Sequence, residues 1–256
     1  MSDQKVETSM KRKGRLNELD GRTWEKYSIS VWGIVKSKEE IKLGHPAMFP
    51  MELCERLIQI YTQKGDVVLD PFMGSGSAII MARDMERKGI GFDINPDFVD
   101  LAKKRLFQQK IIQLAVEEPD IYCDDAVNLL KYVEPNSVDF VLTSPPYWNI
   151  HTRKRTADYK KPRPYSVLER DLGNITTFNG FMNELKTIFQ KVHTVLKHGK
   201  RCVIIVMDIR QGSQFFPFHM DISNMMEKIG FVLEDIIIWD RRKEYSNLRP
   251  LGYPYV

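Results

Sequence analysis

The sequence predicts an α/β fold built as a doubly wound, mostly parallel sheet. Three observations carry that prediction. Short, unbroken apolar runs alternate with helix-period segments from about His45 onward, and strands that are apolar throughout belong to sheets covered on both faces. The first clear run, Val67 to Asp70, ends in a glycine-rich turn, Pro71-Phe72-Met73-Gly74-Ser75-Gly76-Ser77, that leads into a helical pattern. Three successive runs then end on an acid, at Asp70, Asp93 and Asp125, and the carboxyl ends of such strands are where ligands bind.

The elements follow in order. Residues 1–44 read as an extension, with 1–15 disordered and a short strand or turn near Ile29 to Val35. Residues 45–256 read as one catalytic domain. Pro50 to Tyr61 places Leu53, Leu57 and Ile60 at helical spacing. A helix is expected from Ser77 to Lys88, stopped by Gly89, and a strand over Ile90 to Ile94. Asn95 caps a further helix with Pro96 in its first turn, turning Leu101, Ala102 and Leu106 inward. A strand over Ile121 to Cys123, a helix over Ala126 to Tyr132 and a strand over Val138 to Leu142 come next. Phe181, Leu185, Ile188, Val192 and Leu196 then mark a long helix ended by Gly199. Cys202 to Met207 is an apolar strand, Asp221 caps a helix closed by Gly230, and Val232 to Trp239 is the last strand.

The bulk properties narrow the function classes. A chain of 256 residues, 43% hydrophobic and 28% charged, supports one large core rather than two equal domains. No apolar run reaches the ~18 residues of a membrane span, and the polar N-terminus is not a secretory signal. Cys54, Cys123 and Cys202 lie far apart without metal-ligand spacing, which reads as reduced thiols in a cytoplasmic protein with no metal. The net charge of +4 admits a polyanionic partner without requiring one. Its distribution says more. Arg153, Lys154, Arg155, Lys160, Lys161 and Arg163, interleaved with Tyr159 and Tyr165, fill a 151–175 loop, and Arg241 and Arg242 form a later cluster. Cations between aromatics suit phosphate neutralisation and base stacking.

Two constellations carry chemistry. The turn after Asp70 lacks the third glycine of a dinucleotide fingerprint. An acid before it favours a nearby cation and repels a pyrophosphate, so an adenosine ligand bearing an ammonium or sulfonium fits best. Asp93 is placed for ribose hydroxyls and Asp125 for an adenine amino group; as single residues, each also reads as a helix cap or a surface charge. The second constellation is Thr143-Ser144-Pro145-Pro146-Tyr147-Trp148 at the end of the fourth strand. Here the Ser144 hydroxyl and Pro145 carbonyl are acceptors for the two hydrogens of an exocyclic amino group. Tyr147 is a stacking platform, and Trp148 serves equally as core packing.

Taken together, these residues resemble the S-adenosylmethionine-dependent amino methyltransferases of DNA. Asp70 to Gly76 is similar to that family's cofactor motif, Ser144 to Tyr147 to its Ser-Pro-Pro-Tyr motif, and His45 to Pro50 to its lead-in over the methionine end of the cofactor. The motif order is similar to the γ class, and the resemblance runs from His45 to the C-terminus, including Arg170 to Asn174. It implies a Rossmann-like methyltransferase sheet and S-adenosyl-L-methionine held by His45, Phe49, Pro50, Asp70, Pro71, Phe72, Gly74, Ser75, Gly76, Ser77, Asp93, Ile94, Asp125, Ala126 and Thr143. It also implies a flipped base at Ser144, Pro145, Pro146 and Tyr147. Duplex DNA is the implied partner, with a cognate restriction endonuclease and a second copy of the chain as further ones. The sheet of such enzymes ends in a hairpin, and this chain stops where the last strand of that hairpin is expected. A serine before Pro-Pro-Tyr resembles cytosine-N4 enzymes, and adenine-N6 is the alternative. RNA methylation, a nicotinamide oxidoreductase and a non-catalytic cofactor-binding subunit complete the field. Cytosine-C5 chemistry is disfavoured because no cysteine stands at the corner.

Overall fold

The computed structural model describes residues 16–42, 49–108, 117–150, 166 and 168–242. His45 and the cations from Arg153 to Arg163 lie outside the described residues.

Five strands form one all-parallel sheet: β2 (Val67–Asp70), β3 (Lys88–Asp93), β4 (Asp120–Cys123), β5 (Val138–Thr143) and β6 (Leu196–Ile204), in the order β4-β3-β2-β5-β6. The chain steps outward from β2 through β3 to β4, then returns to the other side of β2 as β5. That reversal opens a crevice between the carboxyl ends of β2 and β5, where ligands bind in sheets of this kind.

Helices cover both faces, because successive side chains of a strand point to opposite sides. Val68, Phe140 and Leu142 pack with α3 (Met51–Tyr61) and α4 (Ser77–Asp84) through Leu53, Leu57, Ile58, Ala78 and Ala82. Leu69 and Val141 face α6 (Phe178–Val195) and α7 (Phe218–Ile229) through Phe181, Leu185, Phe189 and Met225. α5 (Pro96–Gln108) lies against the β3 side. Residues 16–35 also belong to this body. They carry α1 (Gly21–Tyr27) and β1 (Val31–Trp32), followed by α2 (Lys38–Lys42). Trp32 is fully buried beside α3, and the Arg56 guanidinium stacks on the rings of Tyr27 and Trp32 at 4.7 and 4.8 Å.

Several boundaries differ from the sequence expectation, each for a local reason. α4 stops at Asp84 rather than Lys88 because Glu86 adopts a left-handed φ of 64° and Arg87 N–H closes onto Ala82 O at 2.8 Å. Lys88 is thereby freed to start β3. Gly89 is a strand residue, and a Cβ there would meet Ile79 at 2.7 Å. In α5, Val99 and Arg105 turn inward, while Leu101 is half-buried. Residues 126–131 form a 3-10 helix rather than an α-helix.

The helix expected to end at Gly199 ends at Val195, because Leu196 pairs with Val138 and opens β6. Gly199, at φ +73°, sits in the register shift between that pair and Phe140–Arg201. α7 starts at Phe218, with Asp221 inside its first turn; Asp208 accepts the His219 N–H in place of the expected cap. Of the expected last strand only β9 (Ile238–Trp239) forms. It pairs in parallel with β1, away from the five-stranded sheet, and Val232 is 86% exposed. β7 (Ile209–Gln211) and β8 (Gln214–Phe216) make a separate antiparallel hairpin. Among the described residues, no helix is long and apolar enough to cross a membrane.

Candidate active site

The crevice holds a cleft of about 840 Å³, its open mouth included. The glycine-rich turn forms its floor. Met73 N–H donates to Phe92 O at 2.8 Å, and Gly74 N–H to the Asp93 carboxylate at 2.9 Å. Gly74 and Gly76 take φ values of +51° and +80°, which favour glycine. A Cβ on Gly76 would also stand 2.9 Å from that of Ala102, so the turn packs directly on α5.

Asp93 accepts from Gly74 N–H and, through its other oxygen, from Asn95 N–H at 2.8 Å. Burial raises its pKa to about 6 against the pull of these two bonds, and the charge of Asp171 adds to the rise. Asp125 caps the 3-10 helix through Val127 N–H at 2.9 Å while facing the cleft. Its cap role and its place on the wall coexist.

Asp70 takes a different position from a wall residue. It is fully buried beneath the cleft, accepting from Thr143 Oγ1 at 2.6 Å and Phe72 N–H at 3.0 Å. Burial lifts its pKa to about 7, and its second oxygen has no hydrogen-bond partner. It ties β2 to β5 directly below the Pro-Pro corner. Thr143, Gly76 and Pro50 likewise sit off the cleft surface, Pro50 as the N-cap of α3. The cleft wall does include Phe49, Pro71, Phe72, Gly74, Ser75, Ser77, Ile94 and Ala126.

The corner supplies the opposite wall through Ser144, Pro145, Pro146 and Tyr147, with Ser144 Oγ and Tyr147 OH 3.2 Å apart. Trp148 turns into the core, its Nε1–H donating to Ile175 O at 2.8 Å. The cleft therefore joins a polar, partly acidic half at the ends of β3 and β4 to an acceptor-and-ring half at the end of β5.

Residues 1–104 and 138–253 match the family described as DNA methylase, the N6/N4 methyltransferases. The chain belongs to the DNA methylase family. The Type II methyltransferase M.HpaI of Haemophilus parainfluenzae is 45% identical over 62 residues, 24% of this chain and 20% of that protein. The orphan methyltransferase M.BamHII of Bacillus amyloliquefaciens is 40% identical over 79 residues, 31% of this chain and 30% of that protein. The matched stretches thus span less than a third of either relative. An rRNA methylase of Streptococcus thermophilus overlaps 78% of this chain and 83% of its own, at 15% identity and a TM-score of 0.41.

The cleft is also lined by residues to which the sequence reading gave no site role: Met73, Asn95, Phe98, Arg170, Asp171, Leu172 and Ile188. Asp171 is buried, accepting from Ser166 Oγ at 2.6 Å and Gly173 N–H at 2.8 Å. Its Arg-Asp-Leu-Gly setting was the available signal.

Arg105 had no such signal beyond its charge in an inward-facing helical position. It is buried in α5 and donates to Ser75 O at 2.5 Å, Ser75 Oγ at 3.0 Å and Ser77 Oγ at 3.2 Å. One guanidinium thus locks the turn from behind. Arg105→Leu is expected to leave those acceptors buried without partners, costing about 2–4 kcal/mol of stability and about tenfold in cofactor affinity. Thermal unfolding and calorimetric titration measure the two effects.

The two candidate cations near the C-terminus are elsewhere. Arg241 stacks over Trp239 at 4.8 Å and Arg242 pairs with Asp240 at 2.7 Å. Neither lines the cleft. Among the described residues no group of three or more His, Cys, Asp or Glu side chains is placed to hold a metal ion.

Proposed function

We propose that this chain transfers a methyl group from S-adenosyl-L-methionine to the exocyclic amino group of a base flipped out of duplex DNA, with cytosine N4 as the target. The observation that carries the reading is one continuous cleft, with Asp93 and Asp125 on one wall and Ser144 to Tyr147 on the other. The residues present fit the cofactor. Asp93 suits ribose hydroxyls, Asp125 an adenine amino group, and Phe72, Ile94, Phe98 and Ala126 the faces of the nucleoside. A pyrophosphate fits poorly, because Asp93, Asp125 and Asp171 share the wall. Position 79, where a dinucleotide turn carries its third glycine, is the fully buried, branched Ile79.

When bound, the cofactor supplies an electrophilic methyl on a sulfonium. The protein's part is to make a poor nucleophile competent. An exocyclic amino nitrogen has its lone pair delocalised into the ring. Ser144 Oγ and the Pro145 carbonyl accept its two hydrogens and draw it toward tetrahedral geometry, while Tyr147 holds the ring in line. The methyl would pass to the nitrogen that Ser144 Oγ and the Pro145 carbonyl hold, the carbon–sulfur pair staying with the departing thioether and one amino proton passing to solvent.

Duplex DNA is the partner in this reading, and the described flanks of the basic loop support it. The loop leaves the corner at Ile150 and returns at Ser166, which is bonded to the cleft residue Asp171. Arg241 and Arg242 are outlying contacts in this reading. Neutralising Arg153, Lys154 and Arg155 together should reduce the slope of log K against log salt by up to ~0.9 for each phosphate left without its cation; an unchanged slope removes the loop from the phosphates. A cognate restriction endonuclease and self-association belong to the same reading.

The serine at the head of Ser144-Pro145-Pro146-Tyr147 supports cytosine, by resemblance. Incubation with labelled cofactor and duplex DNA, followed by digestion to nucleosides, tests the whole. N4-methylcytosine is expected. N6-methyladenine keeps the reaction and changes the base, and unlabelled DNA overturns the reading.

A further inference from the structure

Trp148, the residue after the stacking tyrosine, has φ +45°. That is an unfavourable region for a bulky side chain, and such a conformation persists only where the surroundings over-determine it. Three separate segments do so. Ile175 O accepts the Trp148 Nε1–H. Phe178 of α6 and Phe216 of β8 meet the indole edge-on at 5.4 and 5.3 Å, and they pack on each other at 4.8 Å. Gln211 of β7 donates from Nε2 to the Oδ1 of buried Asn149 at 2.6 Å.

Phe216 and Gln211 both belong to the β7–β8 hairpin, which stands apart from the five-stranded sheet. The hairpin is itself rooted by Ile209, which is fully buried and pairs with Phe216. Its turn is built on Gly212 at φ +60°. The hairpin therefore joins the core at one end and grips the corner along its length.

We infer that the β7–β8 hairpin is a brace for the catalytic corner, with Gln211 as a positioning residue that acts through Asn149 and Trp148 on Ser144 and Tyr147. The inference rests on the function proposed above. Its physical basis is that Tyr147 is joined to a strained residue. Releasing the grip lets Trp148 relax out of the left-handed region, which rotates the peptide that aims the Tyr147 ring and the Ser144–Tyr147 pair. The cofactor half of the cleft hangs on other residues, Arg105 and Asp93, and is left in place.

Gln211→Leu removes the amide donor at similar volume, and Trp148→Phe keeps a ring in the cage without its N–H. Each is expected to lower kcat about tenfold, counted per cofactor-binding site, with KM for DNA and the cofactor Kd within about twofold of wild type. Loss of folded protein lowers the number of sites and leaves the rate per site unchanged, so this split separates positioning from general damage. Hydrogen exchange gives a reading independent of activity: amides 147–150 should exchange about tenfold faster in Gln211→Leu, with 67–77 unchanged. Unchanged kcat per site, or unchanged exchange at the corner, overturns the brace. Wild-type protein that leaves DNA unmethylated overturns the proposed function instead, and the exchange experiment still decides whether the hairpin holds the corner.

Discussion

Ser144→Ala is expected to lower the methyl-transfer rate about a hundredfold, the scale seen when one preorganised hydrogen-bonding group is removed from a reacting centre. The hydroxyl stands in the cleft 3.2 Å from Tyr147 OH. In the proposed reaction it accepts one hydrogen of the target amino group. Alanine removes that acceptor and leaves the Tyr147 hydroxyl without this partner, but it adds no bulk and touches none of the glycine-rich turn. Cofactor affinity should therefore stay within about twofold. Single-turnover rates at saturating DNA and cofactor, beside a calorimetric titration of cofactor alone, measure both quantities. An unchanged rate removes Ser144 from the chemistry.

Asp93→Asn is expected to weaken cofactor binding about a hundredfold. Both carboxylate oxygens receive backbone N–H groups, from Gly74 and Asn95. An amide turns one acceptor into a donor, which then faces an N–H. That strands a buried donor at about 1–3 kcal/mol and loses a charge-assisted bond to the ligand.

The same residue sets a pH dependence. Its pKa is raised from 3.8 to about 6 in the fold by burial, and that of Asp70 to about 7. A carboxyl with a raised folded pKa keeps its proton in the native state after the unfolded chain has released it. These two groups therefore contribute stability that is fully present below about pH 4 and is lost as pH rises through 6 and 7. Cofactor binding runs the opposite way, since the ionised Asp93 is the better acceptor for hydroxyls. Affinity should rise from pH 5 to 7 and then level, with proton release near pH 6 that is visible as a buffer-dependent binding enthalpy. Asp93→Asn should flatten the affinity rise; an equally steep profile in the variant assigns the titration elsewhere.

The parts of the site that were legible in the sequence share one property: their signal is local. Val67 to Asp70 followed by Pro71 to Ser77 announces a strand, a tight turn and a helix within a dozen positions, because apolar continuity, glycine and helical spacing act over a few residues. The same holds for the Pro-Pro corner after Val138 to Leu142, and for Asn95, whose side chain accepts the Asp97 N–H at 2.9 Å. Errors arose where a distant partner overrode the local signal. Gly199 looks like a helix stop, but Leu196 is drawn into pairing with Val138 and the glycine becomes a bulge. Val232 to Trp239 looks like a sheet strand, but among the described residues its ladder is with Val31 and Trp32, about two hundred positions earlier.

The sequence by itself determined the α/β class, the strand-end positions of Asp70, Asp93, Asp125 and Ser144, and the turn chemistry between them, since each follows from backbone preference and burial along a short stretch. Only the tertiary structure decided which of those groups face the cleft. Asp70 turns beneath it because Thr143, on the strand that returns beside β2, offers a buried hydroxyl at 2.6 Å. Arg105 reaches the turn from thirty positions away, and Gln211 reaches Asn149 across sixty-two. Such pairings depend on which elements the fold brings side by side, and no period or spacing along the chain encodes that.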